Sequence, residues 1–371
     1  MPGGGAAPLV LLAAGGTGGH LFPAEALAEV LARRGIVIDL ATDHRAEQYG
    51  HAFPARNIHI IASETLRGRD PISFSRTIAT LGFGTLQASR LIGRLKPHAV
   101  VGFGGYPTIP PLLAAALRNL PTLIHEQNAV MGRANRFLAR RVGCIATSFA
   151  AVLDREPTLN AKARRTGNPV RSSVIAAAAK PFTRPQRGSA FRLLVFGGSQ
   201  GARIMADVVP AALKRLDVRL QGELVIVQQA REEDLARVRA AYAEAKIAAE
   251  VAPFFSDLPA RIAAAQLVIA RSGASTVAEL TAVGRPAILV PLPHALDQDQ
   301  SANAAVLERS DGAIRLLQND FTPDRLAREI SMLAGAPEKL VTMAAAARSE
   351  GVLDAAERLA DLVGEIMSVA Q

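Results

Sequence analysis

Apolar residues along this chain fall into two kinds of pattern. Some form short unbroken runs, which predict strands buried on both faces. Others recur every three or four positions, which predicts helices with one apolar face. The first run, LVLLAA from Leu9, ends in Gly15-Gly16-Thr17-Gly18-Gly19-His20, and FPAEALAEVLARR then reads as a helix stopped by Gly35. IVIDLATD is a second strand. HAVVGFGGYPT carries another strand into glycines ahead of the apolar helix PPLLAAALRNL. PTLIHEQN is a further strand with a polar cluster at its end, and RRVGCIATS is a strand-like apolar run.

The same alternation begins again after the Pro- and Arg-rich stretch AKPFTRPQRGSA. FRLLVFGGSQGARIMADVVPAAL repeats the order strand, glycine turn, helix, with Gly197 about half a chain length beyond Gly15. GELVIVQQA, AEVAPFF, AQLVIARSGASTVAEL and PAILVPLP continue it. Strands alternating with helices imply doubly wound parallel sheets with ligands at the carboxyl ends of strands. Two similar α/β domains result, joined near residues 165–190. The last segment, VLDAAERLADLVGEIM, puts Val352, Ala356, Leu359, Leu362, Val363 and Ile366 on one helical face. Such a stripe needs a surface to cover, and the first domain is the expected one. The boundaries read as 1–167 completed by 352–371, and 168–351.

A length of 371 residues fits two domains, and 49% apolar with 20% charged residues is ordinary globular composition. No apolar run is long enough to span a membrane, and no positive n-region precedes the first one, so neither an anchor nor a signal peptide is expected. Cys144 is the single cysteine, which rules out an internal disulfide and fits a reducing cytoplasm. The net charge of +9 calls for an anionic partner: nucleic acid, lipid or a phosphorylated substrate. Aromatics at 4%, no Trp and no recognisable nucleic-acid motif argue against the first. One passage, LRGRDPISFSRTIATLGFGTLQASRLIGRLK, sets Phe74, Ile78, Leu81, Phe83 and Leu86 among Arg67, Arg69, Arg76, Arg90, Arg94 and Lys96. That mixture suits an anionic membrane surface, or a helix whose apolar face joins the core.

Glycines after a strand bring backbone close to a phosphate. GGTGGH fits neither G-x-G-x-x-G nor a P-loop, although Asp39 and Asp43 stand about where a dinucleotide enzyme places its ribose acid. Glycines used only for tight packing are the alternative. GGSQGA offers backbone N–H groups and Ser199 to a diphosphate at a helix N-terminus. ARSGASTVAEL sets small residues before Glu279, which suits two ribose hydroxyls, or is an acid favoured by the helix dipole. Asp297, Gln298, Asp299, Gln300 and Asn303 suit sugar hydroxyls or an ordinary solvated helix start.

GGTGGH, GGY, HEQNAVMG, TGNPVR, GGSQGAR, RSGASTVAE and DQDQSANA, in this order, resemble the MurG family over nearly the whole chain. That family transfers N-acetylglucosamine from UDP-GlcNAc to the lipid-linked muramoyl-pentapeptide of peptidoglycan synthesis. The resemblance implies a GT-B fold, two Rossmann-like domains facing a central cleft, with the acceptor on the N-terminal domain and UDP-GlcNAc mainly on the other. It implies inverting transfer to a β(1→4) bond with no cofactor and no metal ligands. It sets Gly198 and Ser199 at the diphosphate, Arg171 near the donor, Glu279 on the ribose, Phe254 and Phe255 at the uracil, and Ala274, Ser275, Thr276 and Val277 along the nucleotide. Gln300 matches the residue that reads the sugar hydroxyls, and Thr17, Gly18, Gly19 and Asn128 complete the donor side. Ser275 stands where the family often has leucine, and Asp299 where it often has another residue type. The acceptor 4-hydroxyl needs a base, for which His20 leads and Glu126 competes; orienting the acceptor or holding its pyrophosphate is the alternative role for either. The implied partners are UDP-GlcNAc, undecaprenyl-pyrophosphoryl-MurNAc-pentapeptide, an anionic membrane surface and cell-wall synthesis proteins, with a peripheral position on the cytoplasmic face of the inner membrane. A nicotinamide enzyme, a UDP-sugar epimerase and a non-enzymatic lipid adaptor are the rival readings.

Overall fold

The computed structural model describes residues 7–45, 53–64, 71–186, 188–198, 201–293 and 298–369, with backbone only for 71–74. The chain divides into two compact units, Met1–Arg171 with Leu353–Gln371, and Ser172–Val352.

The first unit holds β1 (Leu9–Ala13), β2 (Val37–Thr42), β3 (Asn57–Ile60), β4 (Ala99–Gly102), β5 (Thr122–Glu126), β6 (Cys144–Thr147) and β7 (Ala163–Arg165). They form one parallel sheet in the order β3-β2-β1-β4-β5-β6-β7. Alternation along β1 explains its unbroken apolar run. Val10 and Leu12 enter the core under helices Gly18–Arg33 and Ala355–Ser368, while Leu11 and Ala13 enter the opposite core under helices Pro71–Leu95, Ile109–Leu117 and Arg133–Ala139. Cys144 is buried in β6 and burial pushes its thiol up.

The second unit holds β8 (Phe191–Phe196), β9 (Leu224–Gln229), β10 (Ala249–Ala252), β11 (Leu267–Ala270), β12 (Ala287–Leu289) and β13 (Ala313–Arg315), parallel in the order β10-β9-β8-β11-β12-β13. In both units the chain reverses its direction of winding beside the first strand, so β1 and β8 each end at a topological switch point.

Several elements differ from the sequence reading. β3, β7 and β13 are edge strands with mostly exposed or half-buried residues, which is why no apolar run announced them. The first helix starts at Gly18, not Phe22, because His20 N and Leu21 N both donate to the Thr17 carbonyl and draw the glycines into its first turn. The joining segment is shorter than 165–190, since helix Ser172–Ala178 already packs within the second unit. The terminal helix spans Ala355–Ser368, leaving Val352 ahead of it. Ala356, Leu359, Leu362 and Val363 cover the first unit, and Arg33 and Arg34 pair with Glu357 and Asp361 beside them. Helix Pro71–Leu95 divides its apolar residues: Ala88, Leu91 and Ile92 are buried and Leu81 packs on them, so Leu81 belongs to the core and not to a surface patch. Ile78, Phe83 and Leu86 stay exposed; Arg67 and Arg69 lie outside the described residues. Among the described residues no helix is long and apolar enough to cross a membrane.

Asp39 has no access to a ribose. It is fully buried in β2 and accepts from Arg56 Nε at 2.9 Å, Arg56 Nη2 at 3.1 Å and His59 Nε2 at 2.9 Å, tying β2 to the edge strand β3. Asp43 pairs with Arg45. Burial opposes ionisation of Asp39, but the Arg56 and His59 bonds outweigh it and hold the carboxyl below its usual range. A depressed carboxyl stabilises the fold above its unfolded value near 4 and loses that contribution as pH falls through the folded value. Asp39→Asn therefore lowers unfolding free energy by about 2 kcal/mol at pH 7. In urea titrations repeated from pH 7 to pH 3, the gap between wild type and variant narrows toward acid.

Candidate active site

The turn after β1 is built from backbone contacts. Gly15 N donates to Gly104 O at 3.3 Å, and Thr17 N donates to Gly15 O at 2.8 Å. Gly104 and Gly105 follow β4 with φ of +84° and +77°, a region open to glycine. The His20 ring lies against all three glycines. An added Cβ would stand 3.1 Å from His20 Cδ2 at Gly15, 3.3 Å from Cε1 at Gly104 and 3.3 Å from Cδ2 at Gly105. These glycines therefore do pack tightly, and what they pack is the histidine. At Gly19 an added Cβ would meet no atom within 4 Å beyond its chain neighbours and its own turn of helix, so packing against other parts of the fold does not account for that residue.

Gly18 makes room for Phe22, whose ring atom Cε2 would be 2.9 Å from a Cβ there. The Arg171 guanidinium lies over the Phe22 ring, 4.0 Å from its centroid, so helix Gly18–Arg33 carries the arginine of TGNPVR on its first turns. Burial raises the neighbouring Glu25 carboxyl, partly offset by Arg171.

At the end of β5 three consecutive side chains are buried. Glu126 is 1% exposed; Oε1 accepts from Asn128 N at 2.9 Å and Asn128 Nδ2 at 3.3 Å, and Oε2 accepts from Gly132 N at 3.0 Å and Asn135 Nδ2 at 2.8 Å. Burial raises this carboxyl against the lowering pull of its four donors. His125 lies 2.9 Å from Gly167 O through Nε2, and its Nδ1 is 3.0 Å from Gln127 Nε2. A carbonyl only accepts, so Nε2 carries the proton and Nδ1 accepts from Gln127. Burial pushes His125 down to about 4, which keeps it neutral, and its bond fixes the turn that leads into Arg171.

In the second unit an added Cβ on Gly197 would stand 2.3 Å from Ala202 N, so the turn after β8 closes directly on itself. Gly198 follows with φ of +88° and open space at its Cβ position, and helix Arg203–Leu213 begins beyond it; Ser199 lies outside the described residues. After β10, Phe254 is 69% exposed, whereas Phe255 is buried with the Arg261 guanidinium 4.3 Å from its ring centroid. Arg261 is held in turn by Glu250 and Asp257.

Helix Ala274–Val283 follows β11, with Ala274 and Val277 buried and Ser275 and Thr276 half-buried. Ser275 Oγ is buried and has no hydrogen-bond partner among the described residues. Glu279 is buried in the second turn, so a surface acid favoured by the helix dipole does not describe it. Ser272 Oγ donates to Gln300 O at 2.8 Å and Asn303 Nδ2 donates to Ser272 O at 3.1 Å, which joins the end of β11 to helix Asp299–Arg309. Gln300 Oε1 accepts from Leu292 N at 3.1 Å. Asp299 Oδ1 accepts from Gln300 N at 2.8 Å, a local helix-start bond, and Asp297 lies outside the described residues.

Residues that no motif reading singled out hold these segments. Arg271 donates through Nη1 to Val290 O and Pro291 O, both at 3.0 Å, and through Nη2 to Gln318 Oε1 at 2.6 Å. A charge set directly after the apolar run LVIA is the signal that could have found it. For His125 and Asn135 the signal is only their place in HEQNAVMGRAN, because their partners are remote in sequence or backbone atoms. Among the described residues no group of His, Cys, Asp or Glu is arranged to hold a metal ion.

Residues 10–147 match the glycosyltransferase family 28 N-terminal domain and residues 192–359 its C-terminal domain. A Rhodopseudomonas palustris (strain BisA53) protein named UDP-N-acetylglucosamine--N-acetylmuramyl-(pentapeptide) pyrophosphoryl-undecaprenol N-acetylglucosamine transferase is 61% identical over 363 residues, covering 98% of this chain and 97% of its own. A Bradyrhizobium diazoefficiens protein of the same name is 60% identical over 359 residues, covering 97% and 98%. The crystal structure of Acinetobacter baumannii MurG matches with a TM-score of 0.77 at 31% identity, covering 97% of this chain and 99% of that one. Two parallel-sheet α/β units, both family 28 domains and likeness over nearly the full length give one conclusion: the chain has the GT-B fold and belongs to the MurG family of glycosyltransferases.

Proposed function

We propose that this chain transfers N-acetylglucosamine from UDP-GlcNAc to the 4-hydroxyl of undecaprenyl-pyrophosphoryl-MurNAc-pentapeptide, with inversion at the anomeric carbon. The observation that carries this reading is the His20 ring held against Gly15, Gly104 and Gly105, in a chain 61% identical over its length to an enzyme of that name. The acceptor oxygen attacks C1 of the sugar from the face opposite UDP. The C1–O bond to the phosphate breaks with its electron pair, which leaves with UDP, and the proton of the 4-hydroxyl passes to His20.

UDP leaves with charge developing on its phosphate. In this reading the backbone N–H groups at the N-terminus of helix Arg203–Leu213, with Gly198, Ser199 and Arg171, stabilise that charge. Glu279 takes the ribose, Ala274, Ser275, Thr276 and Val277 line the nucleotide, and Phe254 and Phe255 hold the uracil. Gln300 reads the sugar hydroxyls; its Oε1 accepts from Leu292 N, which leaves its amide N–H groups as the donors it offers a sugar. Thr17, Gly18, Gly19 and Asn128 add donor contacts. Glu126, with both oxygens occupied by four donors, holds the loop that carries Asn128, which supports His20 rather than Glu126 as base.

The acceptor's lipid calls for a membrane surface. Ile78, Phe83 and Leu86 are exposed on helix Pro71–Leu95 beside Arg90 and Arg94, and Leu117 is exposed on the neighbouring helix, whose following residue Arg118 donates to Ser89 Oγ. Apolar groups ringed by bases support peripheral binding to an anionic leaflet at the cytoplasmic face.

His20→Ala is expected to lower single-turnover transfer of labelled N-acetylglucosamine to a short-chain acceptor analogue by about 10²–10⁴-fold. Its affinity for UDP-GlcNAc stays within about twofold of wild type. Loss of acceptor affinity with an unchanged single-turnover rate overturns the base assignment. Phe83→Ser combined with Leu86→Ser is expected to weaken sedimentation with phosphatidylglycerol vesicles by roughly tenfold or more while UDP affinity is kept. Equal sedimentation of variant and wild type removes the membrane patch.

A further inference from the structure

At the carboxyl edge of the second sheet one side chain is bonded to both of its neighbouring segments. Gln229 is the last residue of β9, and β9 lies between β8 and β10. Its Oε1 accepts from Gly197 N at 3.0 Å, in the turn after β8, and its Nε2 donates to Pro253 O at 3.1 Å, in the segment after β10. The orientation of the amide follows from its partners, since a backbone N–H can only donate and a carbonyl can only accept. The ladder itself ends just below, with Val195 opposite Gln228 and Ala252 opposite Gln229. The amide thus adds one rung on each side, beyond the point where strand geometry holds the chain.

We infer that Gln229 is a positioning residue that sets the separation between the diphosphate turn and the uracil platform of the donor site. The inference rests on the donor reading proposed above, in which Gly198 and Ser199 take the diphosphate and Phe254 and Phe255 the base. Gly197 directly precedes the first pair, and Pro253 directly precedes the second. Gly197 is also where the turn closes on Ala202, so the bond to its N–H anchors the start of that turn. The corresponding end of β2 in the first unit carries a one-sided tie. There Thr42 Oγ1 donates to Ala14 O at 2.8 Å, and the other neighbour is reached only by backbone, Ile61 N to Thr42 O at 2.9 Å. A side chain that reaches both neighbours belongs to the unit expected to bind a ligand spanning both segments.

A tie of this kind matters to a ligand that spans both ends and little to one that occupies a single end. In calorimetric titrations of the full chain, Gln229→Met, which keeps the side-chain length and removes both bonds, is expected to weaken UDP about tenfold. Uridine binding stays within about twofold. Gln229→Glu keeps an acceptor for Gly197 N but sets a carboxylate oxygen against Pro253 O; when protonated, the same group donates to that carbonyl. UDP binding by Gln229→Glu is therefore expected to tighten from pH 8 toward pH 5.5 relative to wild type, a rescue that generic damage to the fold does not produce. Should Gln229→Met fail to fold, this pH dependence carries the test. UDP affinity equal to wild type at pH 8 in either folded variant, a Gln229→Glu affinity that does not change with pH relative to wild type, or uridine and UDP weakened alike, overturns the inference. Absence of UDP binding by wild type itself overturns the donor reading, and the tie with it.

Discussion

Backbone meets bare backbone at the carboxyl ends of β1 and β4, where Gly15 N donates to Gly104 O. A Cβ at Gly15, Gly104 or Gly105 would stand 3.1, 3.3 and 3.3 Å from the His20 ring, closer than ordinary contact, so bare glycines let the imidazole sit at the switch point of the first sheet without being pushed aside. The rest of the first unit follows from this constraint. Helix Gly18–Arg33 starts where Thr17 O collects two N–H groups, and that start orients His20, gives Phe22 its place over Gly18 and brings the ring under Arg171.

The end of β5 obeys a different rule. Burying a carboxylate is costly unless its oxygens are bonded, and Glu126 meets that condition with four donors drawn from the loop that follows it. His125 is neutral by burial and bonds to Gly167, so the strand end holds the loop after it on one side and the TGNPVR turn on the other. Strand ends bonded to the irregular loops that follow them fix where those loops lie, which is what positioning of reacting groups requires. The second unit repeats the solution with other residues: Ser272, Asn303 and Arg271 around β11, and Gln229 at the end of β9.

Basic character is spread, and part of it is structural. Arg285 is buried and gives all its donors to carbonyls, among them Ala263, Val283 and Gly284 at the ends of helices, and Arg56 secures Asp39. Net positive charge therefore indicated an anionic partner more narrowly than a count of arginines suggests; the surface near Phe83, with Arg90 and Arg94, keeps that character.

The sequence by itself determined the alternation of strands and helices, the restart at the second glycine turn and the positions of both turns. Unbroken apolar runs, helical spacing and glycine are local signals that depend on a few neighbouring residues. It also carried the seven motifs that mark the family. Only tertiary structure decided what the polar residues within those motifs do. Asp39 stands at the distance of a ribose acid yet bonds Arg56 and His59, and Leu81 stands among exposed apolar residues yet packs inward. Glu126 ends an apolar strand with nothing nearby in sequence to announce the four donors that its two oxygens accept from. Edge strands such as β3 and β7 formed without an apolar run because one neighbour sufficed to pair them. The physical reason is common to all: the partners of a buried polar group, or of an edge strand, lie far along the chain, and no local pattern records them.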